Sequence, residues 1–119
     1  MKKTLVLGAS PDSFRQSYKA VKKLLKEKYE VIAFGIRVGK IMELDIETVR
    51  KHFENIHTVS IYLAPEKQLD YYDYILSLKP KRIIFNPSTY NVEFAELAKE
   101  KGVEVLESCT LIMLSAEEY

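Results

Sequence analysis

The sequence predicts an α/β fold, a doubly wound parallel sheet of five strands with helices on both faces. Three observations predict it. Five short, largely apolar runs recur along the chain, and continuous apolar runs suit strands buried on both faces. Between them lie stretches whose apolar residues return at helical spacing. Small-residue or polar loops join the two kinds of segment, as they do where a strand hands over to a helix. Crossovers between parallel strands are right-handed, which leaves a doubly wound sheet as the economical topology.

Each element has its own signal. Residues 4–7 (TLVL) form a strand closed by Gly8. A polar loop with Pro11 follows, in which Ser13 and Gln16 have capping-box spacing and Ser17 is the alternative cap. Tyr18, Val21, Leu24 and Leu25 then mark one face of a lysine-rich helix ending near Lys28. Residues 30–34 (EVIAF) form the second strand, and 35–40 a bent loop between two glycines. Within 41–55, Asp45 is placed to cap a short helix turning Ile46, Val49 and Phe53 inward. Residues 58–63 form the third strand. Pro65 fits the first turn of a helix packing through Leu69, Tyr72 and Leu76 and stopped by Pro80. Residues 82–85 are the fourth strand. Asn91 caps a helix packing through Phe94, Leu97 and Ala98, and Gly102 ends it. Residues 103–106 are the fifth strand, and 109–114 an apolar tail over the sheet.

Length and composition bound the function. A chain of 119 residues, 47% of them apolar, predicts one domain over 1–119 with one core. No apolar run approaches the roughly 20 residues that span a bilayer, and the N-terminus reads as no signal peptide. A cytoplasmic location is therefore expected. The 18 basic and 17 acidic side chains are interspersed, for a net charge of +1, so nucleic acid and membrane are not expected partners. The densest basic cluster, Lys19 to Lys28, reads as the wetted face of a helix. Cys109 is the only cysteine, which excludes an internal disulfide and any multi-cysteine metal site.

In open parallel sheets ligands sit outside the carboxyl ends of the strands, where strand order switches. The loops there read GASPDSFRQS, GIRVGK, APEK and NPSTYN. The first departs from the dinucleotide fingerprint G-x-G-x-x-G: Gly8 makes the tight turn, but Ser10 stands at the second glycine. A helix N-terminus follows, favourable for an anion, with Arg15 able to grip a phosphate. A site for NAD would end the second strand with a carboxylate for the ribose 2′-hydroxyl. Here Arg37 and Lys40 follow the strand instead, and suit an extra phosphate on the adenosine. NADP carries one at the 2′ position and coenzyme A at the 3′ position.

The segment GASPDSFRQSYKAVKKLL resembles the opening of the stand-alone coenzyme A-binding domain proteins, a Rossmann-type three-layer α/β/α family. LAPEK, IIFNPSTYNVEFAELAKEKGVEV and the ESCTLIML ending extend the likeness over nearly the whole chain, in order. It implies a site for coenzyme A or an acyl-CoA. Gly8, Ala9, Ser10 and Arg15 would surround the pyrophosphate, with Ser17 orienting it at the helix start. Leu63 and Pro65 would line the adenosine side, and Asn86, Pro87 and Ser88 the pantetheine path. Two departures stand out. Gly35-Ile36 replaces an Asn-Pro found in many relatives, and Ser88 stands where many have glycine. The chain is also similar to the nucleotide-binding part of the succinyl-CoA synthetase α subunit, whose phosphorylated histidine lies in a separate domain without counterpart here.

No catalytic constellation emerges from the residues. His52 and His57 precede the third strand, towards the opposite edge of the sheet. Cys109 has apolar neighbours, which favours inert packing. Tyr71 and Tyr74 read as part of an amphipathic surface, with a partner surface or homodimer as the alternative. The expectation is a binding module without chemistry of its own, for sensing, carriage or regulation. An NADP-dependent oxidoreductase or subunit, and an interaction domain with a decayed pocket, are the alternatives.

Overall fold

The computed structural model describes residues 1–119. In chain order the elements are β1 (Thr4–Leu7), α1 (Gln16–Lys26), β2 (Val31–Phe34), β3 (Lys40–Ile41), β4 (Leu44–Glu47) and β5 (Thr58–Ile61). Two 3₁₀ turns, Pro65–Lys67 and Leu69–Tyr71, lead into α2 (Tyr72–Ser77). Then come β6 (Arg82–Phe85), α3 (Val92–Glu100), β7 (Glu104–Glu107) and α4 (Thr110–Ser115). The protein is α/β with a Rossmann-like, mainly parallel sheet. The sheet has seven strands rather than the expected five, and it is mixed, in the order β3-β4-β2-β1-β5-β6-β7.

β1 lies at the centre, its Thr4 level with Val31 of β2 on one side and Thr58 of β5 on the other. The chain builds outward through β2 and β4, then returns to the far side of β1 for β5, β6 and β7. Connections from the neighbours β1 and β5 therefore run in opposite directions, and a crevice opens at their carboxyl ends.

Two apolar layers enclose the sheet. On one face Val21 and Leu24 of α1 pack with Met113 and Leu114 of α4 over Val6, Ala33 and Ile84. On the other, Tyr72 and Ile75 of α2 and Phe94, Ala95 and Ala98 of α3 cover Leu5, Leu7, Val59, Ile61, Ile83 and Phe85. α1 turns its lysines outward as its periodicity requires, while α3 begins at Asn91, whose Oδ1 accepts from the Phe94 N–H at 3.2 Å. The expected tail over the sheet is helical: Cys109 opens α4, and only Met113 and Leu114 of its apolar run reach the core beside Thr110. No helix is long and apolar enough to cross a membrane.

Two further expectations need correcting. The helix expected from Asp45 is a hairpin, β3 antiparallel to β4, and β4 extends the parallel sheet beyond β2. The outer edge of β2 would otherwise leave backbone groups unpaired. β4 satisfies it: the Gly35 N–H donates to the Glu47 carbonyl at 3.0 Å, while Ile41 and Ile46 are buried beside α1. Val49, expected inside, is 63% exposed. The single helix expected from Pro65 is instead two 3₁₀ turns and a short α2, with Leu69 exposed and Gln68 buried.

The amino end of the sheet is closed by Tyr119. Its hydroxyl bonds Thr4 Oγ1 at 2.6 Å, its ring meets Tyr29 edge-on at 5.2 Å, and the Arg82 guanidinium lies 4.5 Å above it. The opposite end is left open.

Candidate functional site

At that open end, a cavity of about 660 Å³ spans the carboxyl ends of β1, β2 and β5 and the loop after β6. Its size falls within the range of small-molecule sites. The first loop is shaped by two close approaches. Gly8 has φ +94°, and a Cβ there would stand 3.1 Å from the Tyr62 carbonyl carbon. A Cβ on Gly35 would collide with the Ala9 carbonyl oxygen. The Gly8 and Ala9 N–H groups both donate to the Phe34 carbonyl, each at 2.9 Å. The loops after β1 and β2 are thereby pressed together as one floor.

From Ser10 the chain climbs to α1 through tight turns. The Asp12 N–H donates to Ser10 Oγ at 3.1 Å, the Phe14 N–H to Asp12 Oδ1 at 3.0 Å, and the Arg15 N–H to the Asp12 carbonyl at 3.1 Å. Neither Ser13 nor Ser17 caps the helix. Arg15 is the cap residue, in extended conformation and without a side-chain cap bond. The N–H groups of Gln16, Ser17 and Tyr18 find no acceptor in the protein, and Gln16 and Ser17 line the cavity. A helix start with free donors carries a partial positive charge directed at whatever occupies the cavity.

Side-chain charge has the same sign. Of the 20 lining residues three are cationic, Arg15, Arg37 and Lys67, and none is Asp or Glu. None of the three belongs to any of the protein's four ion pairs. One wall is apolar, from Leu7, Phe34, Leu63 and Tyr71. Tyr71 is held by two neighbours: its ring meets Phe34 edge-on at 6.1 Å, and Arg50 lies 4.2 Å over the ring while donating to the Asp70 carbonyl at 2.7 Å.

Of the residues singled out in the sequence, Gly8, Ala9, Ser10, Arg15, Ser17, Arg37, Leu63, Pro87 and Ser88 line the cavity. Lys40, Pro65 and Asn86 do not. Lys40 lies on β3, where a hydrogen bond and ion pair with Asp45 at 2.9 Å raise its pKa. Pro65 opens the first 3₁₀ turn. Asn86 is 1% exposed and its amide is spent on the scaffold: Nδ2 donates to Ser60 Oγ and the Ile61 carbonyl, and Oδ1 accepts from the Thr110 N–H. It fixes the ends of β5, β6 and α4 relative to one another. Phe14, Ile36, Lys67 and Tyr71 also line the cavity and were not among the site residues expected from the sequence. Lys67 was within reach, as the one cation of the APEK loop at a strand's carboxyl end.

Few groups here suit proton or group transfer. Tyr62 lines the cavity, but its hydroxyl is buried without a hydrogen-bond partner. Burial first, and Cys109 beside it second, push the phenol far above its ordinary pKa, so it stays protonated. His57 immediately precedes β5, at the opposite end of the sheet, and neither it, His52 nor Cys109 lines the cavity. No group of three His, Cys, Asp or Glu side chains is arranged to hold a metal ion.

A family model described as "CoA binding domain" matches residues 2–115. Among solved structures, a crystal structure of an uncharacterized protein is 45% identical, with a TM-score of 0.98 over 100% of this chain and 98% of that one. A hypothetical protein from Pyrococcus horikoshii OT3 is 23% identical, with a TM-score of 0.87 over 97% of this chain and 82% of that one. A protein from Thermus thermophilus is 19% identical, with a TM-score of 0.86 over 99% and 90% of the two chains. The last two share the fold. No curated protein matches the chain.

Proposed function

The chain belongs to the CoA binding domain family, and we propose that its cavity holds coenzyme A or an acyl-CoA by the phosphates, as a carrier or sensor without chemistry of its own. One observation carries the reading: three cations free of ion pairs and a bare helix start face a cavity that contains no carboxylate. Such a field rewards a ligand with several phosphate charges. The pyrophosphate lies at the start of α1, against the Gln16 and Ser17 N–H groups and Arg15. Ser10 adds a hydroxyl proton, since its oxygen already accepts from Asp12. Of the two cations that follow β2, Arg37 is on the wall while Lys40 is tied to Asp45, so the 3′-phosphate goes to Arg37. That neither histidine lines the cavity and that Tyr62 stays protonated favour binding without catalysis.

Calorimetry with coenzyme A, dephospho-coenzyme A, NADP and NAD tests this. Coenzyme A should bind more tightly than dephospho-coenzyme A by about 1.5 kcal/mol, the low end for a hydrogen bond to a charged group because the mouth is open to water. Arg37→Ala should erase that difference, and Arg15→Ala should weaken both ligands alike. A preference for NADP, whose 2′-phosphate Arg37 would serve equally well, would replace the ligand. Absence of binding by all four would end the reading.

A further inference from the structure

Two of the most exposed apolar side chains in the protein stand on the cavity wall. Phe14 is 87% and Ile36 83% exposed, and they come from different loops, after β1 and after β2. Single exposed apolar residues are ordinary. Two on one cavity, each followed directly by an arginine outside every ion pair, form a pattern. Both are firmly based. The backbone of Phe14 is tied to Asp12 on either side, through its own N–H and that of Arg15. The loop carrying Ile36 is pressed onto Ala9 at Gly35, so the two loops meet at their bases.

Flat apolar surface beside a phosphate-binding guanidinium matches the chemistry of a purine nucleotide, a ring with two faces joined through a sugar to phosphate. We propose that Phe14 and Ile36 clip the purine ring of the bound nucleotide. Phe14 stacks on one face, Ile36 packs on the other, and Arg37 takes the phosphate on the adjoining ribose. The proposal rests on the reading of the cavity as a coenzyme A site and adds the residues that select the base. The acyl chain is the rival occupant, but side chains so open offer a platform for a ring and no enclosed channel for an alkyl tail.

The test uses the full chain with adenosine 3′,5′-bisphosphate, coenzyme A, octanoyl-CoA and an etheno-adenine coenzyme A whose fluorescence falls on stacking. Phe14→Ala should weaken adenosine 3′,5′-bisphosphate and coenzyme A about tenfold, the scale of one lost base stack. It should also abolish the etheno-adenine quench, which Phe14→Trp should preserve. Phe14 is so exposed that the variants should melt as the parent does. Unchanged affinity for adenosine 3′,5′-bisphosphate would overturn the clip. So would a penalty confined to octanoyl-CoA, which assigns the surface to the acyl chain, or a changed oligomeric state with ligand affinity intact, which assigns it to a second copy. The two readings fail separately. A parent protein that binds adenosine 3′,5′-bisphosphate through Phe14 but not coenzyme A keeps the clip and loses the ligand, whereas one that binds no adenosine nucleotide loses both.

Discussion

Ser88 takes φ +72° on the cavity wall, a left-handed conformation that costs an L-residue about 1–2 kcal/mol. Glycine is the residue that adopts this conformation without strain. Glycine would remove the strain but enlarge the freedom of the unfolded chain, which costs about 0.4–1 kcal/mol. Ser88→Gly should therefore stabilise the protein by about 0.5 kcal/mol, while Ser88→Val, with its branched Cβ, should destabilise it by more than that. Urea unfolding of the three proteins checks the order, and a less stable glycine variant would show that the Ser88 hydroxyl contributes more than the strain costs. At this scale the sequence was informative where chemistry follows residue type. Gly8, Ser10, Arg15 and Arg37 could be placed because a strand end, a turn and a helix start fix where they stand. Lys40 and Asn86 could not, because nothing local says that Asp45 waits across a hairpin or that an amide is consumed by Ser60 and Thr110.

The loops around the cavity are held by a buried amide more than by apolar packing. Gln68 is fully buried between the two 3₁₀ turns, its Nε2 donating to the Leu63 carbonyl at 2.9 Å and the Thr89 carbonyl at 2.8 Å. Its Oε1 accepts from Asn91 Nδ2 at 3.0 Å, and Asn91 caps α3. One side chain thus fastens the loop after β5, the loop after β6 and the start of a helix. Gln68→Leu has nearly the right size but strands the Leu63 and Thr89 carbonyls. Each such group costs about 1–3 kcal/mol when it stays dry, so a loss of about 3 kcal/mol in urea unfolding is expected. Hydrogen exchange should speed up first in residues 62–70 and 86–91, and an unchanged midpoint would mean that water replaces the amide freely. This bond network explains why periodicity misread the segment. Leu69, Tyr72 and Leu76 have helical spacing, yet turning Leu69 inward would displace Gln68 and leave the loop carbonyls unpaired, so the chain turns in 3₁₀ steps and exposes the leucine. The β3–β4 hairpin was missed for a related reason. Ile46, Val49 and Phe53 fit a helix locally, and only the open edge of β2, a tertiary fact, decides for strand. α1 and α3 were legible because their periodicity, and for α3 its cap, are local.

The two ends of the sheet differ, with an open cavity at the carboxyl end and a closed amino end, and their pH responses should separate as well. At the closed end the Arg82 Nε–H donates to Thr58 Oγ1 at 2.8 Å, and the same hydroxyl lies 2.8 Å from His57 Nδ1. That hydroxyl can donate to a bare Nδ1 of the neutral imidazole or accept from a protonated one. Protonating His57 adds a positive charge near those of Arg82, Lys2 and Lys81. Burial foremost, then the charges of Arg82, Lys2 and Lys81, against a smaller opposing pull from Glu104, hold its pKa below the ordinary 6.5. In the unfolded chain the histidine regains its ordinary value, so just below pH 6.5 the unfolded state binds more protons than the folded one. Stability then rises with pH across that window. His57 contributes its full share above about pH 6.5, and that share is lost as the pH falls towards the depressed folded value. Urea midpoints measured between about pH 8 and pH 5 should fall on the acid side in the parent and flatten in His57→Gln, which keeps a hydrogen-bonding group for Thr58 but cannot titrate. Coenzyme A affinity over the same range should have the same pH profile in both proteins, because His57 and the cavity lie at opposite ends of the sheet. A His57→Gln variant with the parent's slope would remove the histidine from the pH response, and one with an altered binding profile would show that the two ends communicate through the strands.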